Sequence, residues 1–109
     1  MMSKITSKEL SKRARIEVLN MIYESKSAHI GSAFSCIDIV SVLYNEVLKI
    51  KKSLLKSDKR DIFILSKGHA CSALYAVLAL KGFFPKKILK SYGKNFSSLM
   101  SHTSHKVPG

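Results

Sequence analysis

The sequence predicts an α/β fold that is mostly helical, with one or two short strands. Three observations carry this reading. Apolar residues recur at helical spacing in three separate stretches. One short apolar run, Asp61-Ile62-Phe63-Ile64-Leu65-Ser66, breaks that period and is bounded by charge before it and by Lys67-Gly68 after it. The last of those helical patterns follows that run at once, which is the strand–turn–helix order of α/β units.

Taken in chain order, Thr6-Ser7-Lys8-Glu9 reads as a capping box that opens a helix. Leu10, Ala14, Val18, Met21 and Ile22 give that helix one apolar face, while Lys12, Arg13, Arg15 and Glu17 cover much of the rest. The pattern predicts a helix over about residues 7–25. Ser27-Ala28-His29-Ile30-Gly31-Ser32-Ala33-Phe34 reads as a loop of small residues. Ser35, with Asp38 three positions on, is placed to cap a second helix carrying Ile37, Val40, Leu43, Tyr44 and Val47 and ending near Ile50. The run from Asp61 to Ser66 has the length and apolar content of a buried parallel strand. Ala70, Ala73, Leu74, Val77 and Leu80 mark a third helix, stopped at Lys81-Gly82. Pro85 opens a short basic helix that ends at Gly93, and the remainder reads as loop.

With 109 residues there is room for one domain at most and a modest core. A hydrophobic share of 46% suits a globular chain rather than a disordered one. No apolar run approaches the ~20 residues of a membrane span, and no apolar signal core follows the N-terminus, so a soluble cytoplasmic protein without membrane contact is expected. Cys36 and Cys71 both fall in apolar helical patterns, which suits reduced core thiols. Nineteen Lys and Arg against seven Asp and Glu give a formal net charge of +12. Such an excess attracts polyanions, or a small anionic cofactor or phosphorylated substrate. The densest cluster is Lys49, Lys51, Lys52, Lys56, Lys59 and Arg60. It carries no interleaved aromatics and no nucleic-acid-binding signature, so a solvated loop is preferred and nucleic acid is kept as the alternative partner.

The strand–glycine–helix step positions a candidate site. Ligands of open α/β sheets sit at the carboxyl ends of strands, and helix starts favour anions. Ser66, Gly68 and His69 lie where both conditions meet. Gly68 permits a tight turn or close approach, and His69 can donate to a phosphate oxygen. Four histidines occur in all, His29, His69, His102 and His105, and the contexts of three of them share a character of Gly and Ser neighbours.

The segments His29-Ile30-Gly31-Ser32, Ile64-Leu65-Ser66-Lys67-Gly68-His69-Ala70, Leu74-Tyr75-Ala76, Gly82-Phe83-Phe84-Pro85 and the closing stretch from His102 to Gly109 resemble, in this order and spacing, the N-terminal part of transketolase. The resemblance runs from about Ser11 to Gly109. It implies that residues 1–109 are a partial domain, the N-terminal portion of the thiamine-diphosphate-binding doubly wound fold. It implies transfer of a two-carbon ketol unit between sugar phosphates. It also implies cofactor binding by His69, Gly68 and Ser66, and catalytic roles for His29 near the thiazolium and for His102 at the ketose end of the donor. His105 inherits no role. Imidazoles suit such a reaction because proton movement from sugar hydroxyls near neutral pH needs groups that titrate there.

The family pattern continues with a glycine-rich loop and a GDG segment ending in Asn that holds magnesium or calcium, and neither occurs in these residues. The expectation is therefore a chain truncated before the metal-binding motif and inactive alone. It would need a C-terminal transketolase chain or a homodimeric partner, or it would serve as a docking remnant. A lone buried-type strand without sheet neighbours also predicts marginal stability or aggregation.

Overall fold

The core is built around a short helix that is buried on every side. In the computed structural model, which describes residues 5–27, 29–93, 99 and 107–109, three helices form: α1 (Ser7–Ser25), α2 (Ile30–Val42) and α3 (Cys71–Leu80). Every residue of α3 from Cys71 to Ala79 is buried. Its sequence, apolar apart from Ser72, makes sense only inside a protein. Helices α1 and α2 pack on each other and both pack on α3. Leu10, Ala14, Val18 and Met21 of α1 meet Ala33, Ile37 and Val40 of α2 and most of α3 in one continuous cluster.

The bounds of α1 match the pattern in the sequence. The Thr6 hydroxyl accepts from the Glu9 backbone N–H at 3.0 Å, satisfying one orphan donor of the first turn. The Glu9 carboxylate accepts from Arg13 Nε at 3.1 Å, one turn on. At the other end Lys26 enters the left-handed region (φ 54°), and Ser27 N–H donates to Ile22 O at 3.2 Å, the six-to-one bond of a Schellman stop.

Helix α2 begins five residues before the expected cap, at Ile30 rather than Ser35. Ser35 is inside the helix, where its hydroxyl donates to Ser32 O at 2.8 Å. Asp38 accepts from Ser11 Oγ and, at 3.0 Å, from Arg15 Nη2, so it ties α2 to α1 instead of capping. The helix runs on through a π-turn, Leu43–Val47, closed by Leu48 N–H to Leu43 O at 2.8 Å. By length and composition the stretch Ile30–Val47 (mean hydropathy 1.2) could cross a membrane. Its Ala33, Ile37, Val40 and Tyr44 fill the protein core.

The basic segment that follows is a set of tight turns, including Lys52–Leu54, pinned at its ends. Lys49 N–H donates to Asp61 Oδ2 at 2.6 Å, and Asp61 N–H donates to Lys49 O at 2.8 Å. Arg60 donates to the carbonyls of Leu55, Asp61 and Gly109 at 3.2, 3.0 and 3.3 Å. One of the six clustered cations is therefore engaged in holding the loop together.

The expected strand does not form. Among the described residues there is no β-strand, and residues 61–65 run without regular structure into the bend at Ser66. The physical reason is that a strand needs a neighbour to take its N–H and C=O groups. Only Phe63 and Leu65 pack on the core, whereas Ile62 and Ile64 are 73% and 80% exposed. The run is thus apolar on two faces but covered on one.

Past α3, Gly82 (φ 86°) makes the predicted stop, with Phe83 N–H to Leu78 O and Gly82 N–H to Ala79 O both at 3.0 Å. A 3₁₀ segment, Lys86–Ser91, then lays Leu89 and the following Tyr92 into the core, and Lys86 pairs with Glu17 of α1 at 2.7 Å.

Candidate functional site

Two helix starts converge. A 3₁₀ turn, Gly68–Ala70, leads straight into α3, closed by Ala70 N–H to Lys67 O at 2.9 Å. His69, in the middle of that turn, is exposed, whereas Ala70 is fully buried and anchors it. Ser66 sits exposed at the bend just before the turn. The other start is that of α2. His29 occupies its N-cap position in the left-handed region (φ 75°, ψ 24°), and its carbonyl takes the first helical bond, from Ala33 N–H at 3.0 Å. A side chain seldom adopts that conformation without cause.

The two histidines, far apart in sequence, meet here. Their rings stack with centroids 4.4 Å apart and planes 5° from parallel. A second contact joins the same two segments, where Lys67 Nζ, just ahead of the 3₁₀ turn, donates to Ser35 Oγ of α2. Beside it, burial pushes the half-buried Cys36 thiol up, against the opposing charge of Lys67. A Cβ built on Gly31 would meet nothing within 4 Å, so the first turn of α2 faces open space. Of the site residues read from the sequence, His29, Ser66, Gly68 and His69 are brought to one corner. His102, like His105, lies outside the described residues. Lys67 and Ser35 join the corner without a site role in the sequence reading. Lys67 stands between Ser66 and Gly68, and its charge beside a helix start is the signal that could have marked it.

The chemistry of this corner is that of an anion grip. Hydroxyl, ammonium and imidazole groups are donors, and they stand at helix starts whose dipoles favour negative charge. This donor set fits the diphosphate of thiamine diphosphate. It does not supply a metal cage: among the described residues no group of three or more His, Cys, Asp or Glu comes together. The magnesium implied by the resemblance has no ligand set among them.

Comparison with known proteins agrees over nearly the whole chain. Residues 6–107 match the family model described as "Transketolase, thiamine diphosphate binding domain". An apulose-4-phosphate transketolase subunit of Phocaeicola vulgatus is 34% identical over 99 residues, covering 91% of this chain and 35% of that protein. The transketolase of Pongo abelii is 35% identical over 95 residues, covering 87% of this chain and 15% of that protein. In three dimensions a transketolase from Leishmania mexicana superposes with a TM-score of 0.79 at 24% identity, over 92% of this chain and 15% of that one, which shows a shared fold. The chain thus spans about a third of the Phocaeicola relative and a smaller share of the Pongo enzyme. On these matches the chain belongs to the transketolase family, within its thiamine diphosphate binding domain.

Proposed function

We propose that this chain supplies the diphosphate-gripping corner of a transketolase that moves a two-carbon ketol unit between sugar phosphates. The observation that carries this is the stacked pair of His29 and His69 at the converging starts of α2 and α3. In this reading His69 donates to a diphosphate oxygen, Ser66 and the backbone at Gly68 complete the grip, and Lys67 adds charge. His29, held against His69, faces the reacting end and moves protons at substrate hydroxyls. His102 holds the ketose end of the donor. When bound, thiamine diphosphate supplies the electron sink for breaking the bond beside the ketose carbonyl; the protein supplies placement and proton handling.

The same proposal assigns the metal ligands and the pyrimidine-binding half of the site to further polypeptide. The relative from Phocaeicola vulgatus is named as one subunit of a transketolase, which supports a companion chain. The proposal also assigns these residues to a doubly wound α/β domain and to the cytoplasm. Titrating the purified chain with thiamine diphosphate and magnesium by calorimetry, alone and with a companion transketolase chain, tests it. Binding that tightens at least tenfold with the companion is expected. Absence of heat in both arms would sink the reading.

The exposed lysines Lys49, Lys51, Lys52, Lys56 and Lys59 favour one second reading, a small basic nucleic-acid binder. A mobility-shift assay at low salt decides it, and absence of a shift removes it.

A further inference from the structure

Positive charge gathers on the loop that follows α2. Lys49, Lys51, Lys52, Lys56 and Lys59 are all exposed. Among the described residues none of the five is in an ion pair with a carboxylate side chain. Lysines elsewhere in the chain do find partners: Lys86 pairs with Glu17 at 2.7 Å, and Lys81 donates to Asn45 at 3.0 Å. Asp58 is the only acidic residue between Lys49 and Arg60. Asp61, at the foot of the loop, is taken up by the Lys49 backbone N–H at 2.6 Å.

The backbone that carries these lysines is held in place. The paired bonds between Lys49 and Asp61 close its base. The Arg60 guanidinium is turned onto the carbonyls of Leu55, Asp61 and Gly109, and the Ser57 hydroxyl accepts from the Lys59 N–H at 3.1 Å. Arginine is thus spent on the loop itself, and lysines alone are left outward.

The chemistry of that surface narrows its ligand. A lysine ammonium is a compact point charge that neutralises phosphate but lacks the planar fork of arginine. No aromatic side chain lies between Lys49 and Arg60 on which an unpaired base could stack. Every described position of that stretch that is exposed is polar, so it offers no apolar side to seat in a bilayer. Closely spaced charge without stacking or apolar groups suits the backbone of a duplex, whose bases face inward and which carries one negative charge about every 1.7 Å of axis.

We propose that the loop from Lys49 to Lys59 binds the phosphate backbone of duplex nucleic acid without regard to sequence, as a second property of a transketolase-family chain. This rests on the nucleic-acid reading above, to which it adds a place and a mode, and not on the cofactor. Its failure leaves thiamine diphosphate binding untouched.

Fluorescence anisotropy of the 109-residue chain with two short labelled DNA duplexes of unrelated sequence, at about 50 to 200 mM salt, tests it. Three to five lysines in contact predict a slope of log affinity against log salt of about −2.7 to −4.5, the same for both duplexes. The double variant Lys51→Gln/Lys52→Gln should make that slope shallower by about 1.8 and weaken binding at least fivefold, with the helical circular dichroism unchanged. Lys8→Gln/Lys12→Gln removes the same charge from exposed positions of α1 and should weaken binding less than twofold. A single strand of either sequence should bind more weakly than its duplex.

Equal weakening by the two double variants would overturn the proposal, because net charge and not the loop would then hold the duplex. So would a tenfold preference for one duplex, tighter binding of the single strand, or release of the duplex by phosphatidylserine vesicles at equal phosphate concentration. No binding of either duplex at the lowest salt would remove the nucleic-acid reading altogether. Binding that Lys51→Gln/Lys52→Gln leaves unchanged would keep that reading and sink this one.

Discussion

Replacing His69 by Phe separates the two things its ring does. The stack on His29, with centroids 4.4 Å apart and planes 5° from parallel, survives in a phenyl ring of similar shape. The N–H donor does not. A hydrogen bond to a charged acceptor contributes about 1.5–3 kcal/mol, and an exposed donor such as His69 falls at the low end, so His69→Phe should weaken pyrophosphate binding roughly tenfold. His69→Ala loses the donor and the stack together. An aromatic pair contributes about 0.5–1.5 kcal/mol beyond burial, and His29, in the left-handed region, then loses its ring partner. A further loss of roughly two- to tenfold is expected. Calorimetric titration of the three proteins with inorganic pyrophosphate reads both steps. Because His69 is exposed, thermal stability should stay close to that of the parent chain. If His69→Phe binds as the parent does, the donor has no part in the grip. If the Ala and Phe variants bind alike, the stack has none.

Other expectations concern the scaffold. Ile37 is fully buried between α1 and α3, so Ile37→Ala deletes three carbons and leaves a cavity, at a cost of about 3–4 kcal/mol. A urea midpoint within error of the parent would contradict the packing described. Ser41 is fully buried and its hydroxyl has no hydrogen-bond partner among the described residues, so Ser41→Ala should raise stability by about 1 kcal/mol; a lower urea midpoint would refute this. Burial pushes the Tyr44 hydroxyl, opposed by Arg60, up to about 12 from 10.0. Burial first, then Cys71, pushes Tyr92 up to about 12 from the same value. Both groups are protonated more readily in the folded protein. Their contribution is complete below pH 10 and is lost as pH rises through 12. Helical circular dichroism and tyrosinate absorbance should therefore change together between those values. Tyrosinate forming there with the helical signal intact would refute the coupling.

The parts of the fold legible in the sequence are those fixed by neighbours a few positions away. Thr6 and Glu9 announce the start of α1, and Gly82 announces the stop of α3, because each cap is a contact within one turn. The start of α2 was not legible. Gly31 and Ser32 are poor helix formers, and the helix persists there because Ala33 and Ile37 are buried in the core, which local propensity does not report. Ser35 and Asp38 look like capping residues, but they answer to Lys67, Ser11 and Arg15 across the fold. Residues 61–66 carry the composition of a strand without, among the described residues, the neighbour that would make one. At the site, Ser66, Gly68 and His69 could be read from one contiguous motif. That His29 lies on His69 depends on how α2 packs beside the start of α3, and only the family resemblance put the two together in advance.

The most direct test of the central claim is a residue-resolved one. Amide NMR of the isotope-labelled chain, titrated with inorganic pyrophosphate, reports where the anion sits. The account predicts saturable shifts at residues 29–32 and 66–70, the two converging helix starts. Shifts centred on the lysine-rich segment from Lys49 to Arg60, with residues 29–32 and 66–70 unmoved, would show an anion held by net charge alone and would contradict it.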